Sequence, residues 1–286
     1  MSAVSAPPEE RATTTIAEPL RVGLIQIRSH PDTEHHEQQC IIDQLGIDRS
    51  QLVCVNVVHK ADIAWRDISS ADLLVIGGSG DHTVTRDYDF TPHLTSTVQR
   101  AVSEDMPTFG ICWGHHFLAR ALGGEVRTDP LREEVGTFDV TVNEAGRQDP
   151  LFGNLPERFP TNLVHHDAVI TLPPGAIELG RSERCRNQIL RLEDKLVYGT
   201  QFHCEMDADA LRSRLGMYAW EYVDDAAELE EVHASVSDTP DAATLLPRFV
   251  ELVVKGGPRQ AGPRQAGPRQ AGPHAAAPRT VAPVAT

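Results

Sequence analysis

The run Phe109–Val126, FGICWGHHFLARALGGEV, constrains this chain more than any other stretch. The apolar segment PTFGI, ending at Ile111, predicts a short strand. WGHHFLARAL predicts a helix, closed by Gly123-Gly124. Cys112 falls on the corner between them. Gly110-Ile111-Cys112-Trp113-Gly114 has the form G-x-C-x-G, a nucleophile elbow with sulfur in the place of oxygen. Such a corner strains the nucleophile's backbone, and the small residues two before and two after let neighbouring backbone pass close by. The helix start aims N–H groups and the positive end of its dipole at the sulfur, which favours thiolate. A buried structural cysteine is the competing reading of the pentapeptide alone.

The segments around this corner alternate between strand and helix. RVGLIQI (Arg21–Ile27), QLVCVNVV and ADLLVIGGSG predict strands. Asp32–Leu45, stopped by Gly46, and Thr91–Glu104, with Pro92 in its first turn, predict helices. This βαβ rhythm predicts an α/β fold with a mostly parallel sheet covered by helices. In such sheets sites lie beyond the carboxyl ends of the strands, where both GGSG and Cys112 fall.

Composition narrows the function classes. With 286 residues and 40% apolar content, the chain can bury one substantial core. Its formal net charge of -15 repels phosphate backbones and anionic membranes, so neither nucleic acid nor membrane is an expected partner. No apolar run approaches the roughly 20 residues of a spanning helix. The N-terminus lacks the pattern of a signal peptide. Five irregularly spaced cysteines do not form a disulfide framework. A cytoplasmic location, where a thiol stays free, is expected. Residues 1–19, and the tail 256–286 with its repeated Gly-Pro-Arg-Gln-Ala unit, read as disordered flanks of one domain, 20–255.

A thiol nucleophile needs a base and a group to orient that base. In KLVYGTQFHCEMD, Leu196–Phe202 predicts a late strand, followed by His203 and Glu205 at spacing two. In extended chain these two project to the same side, so a carboxylate can hold the imidazole by one nitrogen. The histidine pairs His35-His36, His115-His116 and His165-His166, with His82 and His93, raise a metal site as a different class. Adjacent histidines diverge on strands and helices alike, no H-x-H or HExxH pattern is present, and no metal or other cofactor is expected. His35 and His36 read as a solvated helix face. Cys40, Cys54 and Cys185 read as structural, Trp65 and Trp220 as packing anchors, and Trp113 as lining the site. Asp224–Glu231 predicts a solvated helix face. Asp241–Val254 predicts a final amphipathic helix, an interface candidate that Pro247 would kink.

The pieces GGSGD, FGICWGHHFLARALGGEV, HHDAVITLPPG and GTQFHCEMD, in this order between about Arg21 and Trp220, resemble the class I glutamine amidotransferases, in the style of their stand-alone, GMP-synthase-like group. The resemblance implies a flavodoxin-like, mostly parallel sheet flanked by helices, with an additional antiparallel strand region. It implies a Cys-His-Glu triad of Cys112, His203 and Glu205. It implies an oxyanion hole from the backbone N–H groups of Gly78 and Trp113, and glutamine seating by Val164-His165-His166-Asp167. Three positions depart from the family pattern. His116 stands where the family has a substrate-recognising Gln, Cys204 where it has Pro, and Val164 where it has Ser. A histidine at 116 changes the hydrogen-bond pattern and adds a titrating group near neutral pH. The expected function is hydrolysis of the γ-carboxamide of glutamine, with ammonia passed to a separate synthetase. The alternatives are hydrolysis of another γ-glutamyl amide, or a catalytically silent binding or regulatory paralogue. Oligomeric state is not legible.

Overall fold

The computed structural model describes residues 20–219 and 225–256. The two expected disordered flanks, apart from Gly256, lie outside the described residues, as do Trp220 and Asp224. Eleven strands are present among the described residues: β1 (Val22–Gln26), β2 (Leu52–Asn56), β3 (Leu73–Ile76), β4 (Thr108–Ile111), β5 (Glu125–Thr128), β6 (Glu134–Val142), β7 (Arg158–His165), β8 (Asp167–Thr171), β9 (Ala176–Arg181), β10 (Ile189–Leu192) and β11 (Val197–Thr200). Nine of them form one sheet in the order β2-β1-β3-β4-β11-β10-β9-β6-β7. Its first five strands pair in parallel, in the flavodoxin-like order. The four others extend the same sheet antiparallel. β5 and β8 form a separate antiparallel ribbon.

Strand periodicity sorts the core into two layers. Val22, Leu24, Leu73, Val75, Phe109 and Ile111 face one side. There they meet Ile41 of helix α1 (Pro31–Leu45) and the last helix among the described residues, Leu245–Lys255. Ile25, Leu74 and Ile76 face the other, under helices α3 (Thr91–Ser103) and α4 (Trp113–Ala121); α2 (Trp65–Ile68) is a single turn beside them. Trp65 packs half-buried on this second layer, with the Arg100 guanidinium 5.3 Å from its ring centroid. α1 ends at Gly46, whose φ of 60° is the left-handed cap that glycine supplies without strain.

The final amphipathic segment differs from its expectation. It divides into Pro240–Ala243 and Leu245–Lys255, so Pro247 sits in the first turn of a new helix, where proline is tolerated. Its apolar face packs on this chain's own core: Leu245, Leu246, Phe249 and Val253 are buried, and Phe249 meets Phe109 edge-on at 5.3 Å. The acidic run continues as the helix Ala226–Ser235, none of whose residues is fully buried.

Candidate active site

The elbow glycines are required by close approach. A Cβ on Gly110 would lie 2.6 Å from the Gly114 carbonyl oxygen, and one on Gly114 only 2.1 Å from that of Ile76. α4 can therefore lie across β4 and β3 only without side chains at these two positions. Between them Cys112 takes φ 52° and ψ -104°, a left-handed strain held by the packed strand and helix on either side.

The carboxyl ends of three parallel strands converge here. Cys112 follows β4, Gly77-Gly78 follow β3, and Gln201–Glu205 follow β11. The Cys112 thiol is buried and donates to the Val164 carbonyl at 3.4 Å. His203 is fixed by its backbone N–H to the Asn162 carbonyl of β7 at 2.9 Å. Its Nδ1 lies 2.7 Å from Glu205 Oε1. An ionised carboxylate only accepts, so Nδ1 carries the proton and Nε2 is the other ring donor. Burial disfavours the imidazolium, but Glu205 and then Cys112 outweigh it and raise the His203 pKa to about 10. Burial pushes the Glu205 carboxyl up, and His203 more than offsets this, holding it below its ordinary value. The arrangement brings a sulfur, an imidazolium and a carboxylate together out of water, with the imidazolium hydrogen-bonded to the carboxylate.

A side chain at Gly78 would enter this site: its Cβ would lie 3.2 Å from His203 Cε1 and 3.8 Å from Cys112 Cβ. The Gly78 N–H itself donates to Glu37 Oε1 at 3.2 Å. The N–H of Trp113 is the first of α4 and has no intrahelical carbonyl behind it. Its indole does not line the site as expected. It stacks on Phe117 at 4.8 Å and packs against Phe90, because this face of α4 is turned to the second core layer.

The four-residue segment at 164–167 and His116 are near the site, but most of their side chains are spent on the framework. Val164 meets the thiol through its carbonyl. His165 bonds the Asp167 carbonyl at 2.8 Å and Glu134 at 3.2 Å. His166 pairs with Glu133 at 2.8 Å, and Asp167 accepts from Thr83 and Thr128. His116 is buried, and its Nε2 donates to Gln201 Oε1, while Gln201 Nε2 reaches toward the Cys112 sulfur at 3.9 Å. Burial holds the His116 pKa down at about 4, so it adds no charge at neutral pH.

Several residues at the site were not singled out in the sequence. Arg28, just beyond β1, ion-pairs with Glu37 at 2.6 Å, both side chains buried. Arg214 lies on helix α6 (Ala208–Met217) with Leu211 and Leu215 at spacings of three and one. An arginine inside that apolar stripe was the available signal. His36 corrects the solvated-face expectation: only His35 is exposed, whereas His36 accepts from Arg214 Nη2 at 2.7 Å and burial drops its pKa to about 4. Although His116 lies 5.7 Å from His115 and 6.4 Å from His165 between ring centroids, among the described residues no three His, Cys, Asp or Glu side chains are grouped to hold a metal ion. No helix among them is long and apolar enough to cross a membrane.

Comparison with known proteins places this geometry. A GMP synthase (glutamine-hydrolysing) of Thermosipho melanesiensis is 30% identical over 142 residues, which is 50% of this chain and 26% of that protein. One of the subunits of the glutamine-hydrolysing GMP synthase of Methanocaldococcus jannaschii is 34% identical over 106 residues, 37% of this chain and 54% of that one. The chain thus matches between a quarter and about half of the length of these relatives. In fold it is similar to a glutamine amidotransferase of Thermotoga maritima, with a TM-score of 0.64 at 22% identity, covering 84% of this chain and all of the other. The family model "Glutamine amidotransferase class-I" matches residues 32–215, the span that carries Cys112, His203 and Glu205, and the chain belongs to the class-I glutamine amidotransferase family.

Proposed function

We propose that this chain is a Cys-His-Glu amidohydrolase that cleaves the γ-carboxamide of glutamine and gives up ammonia to a separate synthetase. The observation that carries the reading is the strained Cys112 elbow meeting, beside Gly78, the hydrogen-bonded pair His203 and Glu205. An amide is a poor electrophile, so the site must supply a strong nucleophile, a proton for the leaving nitrogen and donors for the oxyanion. With the proton of Cys112 held on His203 as imidazolium, Cys112 Sγ attacks the carboxamide carbon. Negative charge develops on its oxygen, beside the N–H of Trp113 and that of Gly78, which exchanges Glu37 for the substrate. His203 Nε2 passes its proton to nitrogen, the C–N bond breaks, and ammonia leaves. Water, relieved of a proton by His203, then cleaves the γ-glutamyl thioester to glutamate and frees the sulfur beside a protonated His203. Glu205 keeps the imidazole in the productive tautomer throughout. The archaeal relative is named as one part of a multi-chain synthase, which supports a partner chain as ammonia acceptor.

A second reading is favoured by His116. Where the family has a glutamine facing substrate, this side chain is tied to Gln201. Recognition of free glutamine then loses a contact, which supports another γ-glutamyl amide as substrate. Ammonia and amine release from glutamine and from a panel of γ-glutamyl amides, each with and without the candidate synthetase, tests both. Glutamine turnover that depends on a partner supports the first reading. Partner-independent release of a larger amine supports the second. No turnover of any of them rejects both and leaves a silent paralogue.

A further inference from the structure

We propose that the cleft beside His203 contains a carboxylate subsite, built on Arg214 with Arg28, that receives an anionic amine half of a γ-glutamyl amide. It rests on the reading of Cys112 as an amide-cleaving nucleophile and names the substrate class. The cleft is lined by Val164, His203, Arg28, Arg214 and Tyr218, and Arg28 Nη2 and His203 Cε1 lie 3.5 and 3.2 Å from the point where a Gly78 Cβ would sit.

Arg214 is the unusual group. It is only 6% exposed, and burying a guanidinium without a counter-ion is costly. Its Nε and Nη2 both donate to His36 Nδ1, at 3.0 and 2.7 Å, and His36 is an uncharged acceptor at neutral pH. Its Nη1 is buried with no hydrogen-bond partner among the described residues, and so is Nε of Arg28. The two carboxylates whose fields reach Arg214, Glu37 and Glu205, are hydrogen-bonded to Arg28 and to His203 instead. A cleft walled by Leu211 and Leu215, with unspent guanidinium donors, suits a carboxylate, whose planar oxygens match that fork.

The place of Arg214 says which half of the substrate it meets. The acyl carbon must sit at Cys112 Sγ, with its oxygen toward Gly78 and Trp113. The leaving nitrogen must face His203. His203 and Arg214 line the same cleft. A substituent on the leaving nitrogen that extends past His203 therefore runs toward Arg214. The reaction balances without a further reagent. The amide C–N bond is replaced by C–S, His203 supplies the proton that leaves with the amine, and water returns the acyl group as glutamate. Free glutamine, whose leaving group is ammonia, leaves this subsite empty.

The test compares γ-glutamyl-β-alanine with its neutral isostere γ-glutamyl-β-alaninamide on the full chain. The expected kcat/KM ratio is ~10–100-fold in favour of the carboxylate, the range of a charge-assisted hydrogen bond. In Arg214→Gln the ratio falls toward one, and Arg214→Lys restores part of it. Equal rates on the two amides, or an undiminished ratio in Arg214→Gln, overturn the proposal. Because Arg214 is buried, calorimetry on the Cys112→Ser chain gives a second readout that needs neither turnover nor an Arg214 variant. β-Alanine binds and β-alaninamide binds at least ~10-fold more weakly; equal binding of both, or of neither, overturns the subsite. If no amide is cleaved yet β-alanine binds selectively, the subsite stands and the amidohydrolase reading is what has failed.

Discussion

Glu37 Oε1 accepts the N–H of Gly78 at 3.2 Å and the Nη2 of Arg28 at 2.6 Å, so one buried carboxylate ties the turn after β3 to the cation beyond β1. Its other oxygen accepts from Gln26 Nε2 at 2.9 Å. Removing the charge while keeping the shape leaves a buried arginine without its counter-ion. Glu37→Gln is expected to destabilise the fold by ~3–5 kcal/mol, the cost of breaking a buried pair on one side. Urea unfolding of the two proteins measures it. A loss below about 1 kcal/mol would mean that Arg28 finds another partner or water.

Glycine substitutions separate close approach from helix propensity. Gly114→Ala would drive a methyl into the Ile76 carbonyl, backbone against backbone, and is expected to cost ~3 kcal/mol or more, or to prevent folding. Gly216→Ala, near the end of α6, meets nothing within 4 Å and is expected to stabilise by up to ~1 kcal/mol. Thermal melts of both variants check the contrast. The same shift in both would argue that α4 is free to move off β3.

The pH dependence of stability reports on His203. Its folded pKa, about 10, lies above the ordinary 6.5, so protonation favours the folded chain. That stabilisation is complete below about pH 6.5 and is lost as pH rises through about 10. The gap in Tm between the parent and His203→Gln is expected to be widest near pH 6 and to close toward pH 10. A gap that widens with pH would mean that the imidazole is neutral in the folded state.

His116 is expected to act through Gln201. His116→Ala leaves the Gln201 amide oxygen without its buried donor and frees the amide nitrogen that faces the sulfur. An unsatisfied buried acceptor costs about 1–3 kcal/mol, so if the loss falls on the transition state kcat drops by ~10–100-fold. KM is expected to change less. A change confined to KM would instead make His116 a direct substrate contact.

Much of this was readable in the chain because it is local. The strands β1 to β4 and β11 are short apolar runs, and G-x-C-x-G announces a corner whose glycines prove to be sites of backbone contact. His203 and Glu205 were legible as a histidine and a carboxylate two residues apart after an apolar strand, although that strand ends at Thr200 and the chain bends through both of them. What was not legible is what distant segments do to one another. Arg28, Glu37 and Arg214 are isolated charges in sequence, and only the docking of α1 and α6 beside the strand ends buries them together. The fate of His116 depended on Gln201, 85 residues away. The Trp113 indole went to the core because the face of α4 that receives it is set by the Gly110–Gly114 contact.

The most direct measurement is mass spectrometry of the full chain quenched during turnover of glutamine or a γ-glutamyl amide, with hydroxylamine as a parallel trap. The account predicts a γ-glutamyl group on the peptide bearing Cys112, γ-glutamyl hydroxamate in the trapped sample, and neither in Cys112→Ser. Unimpaired turnover by Cys112→Ser, or the acyl group on Cys40, Cys54, Cys185 or Cys204, would contradict it.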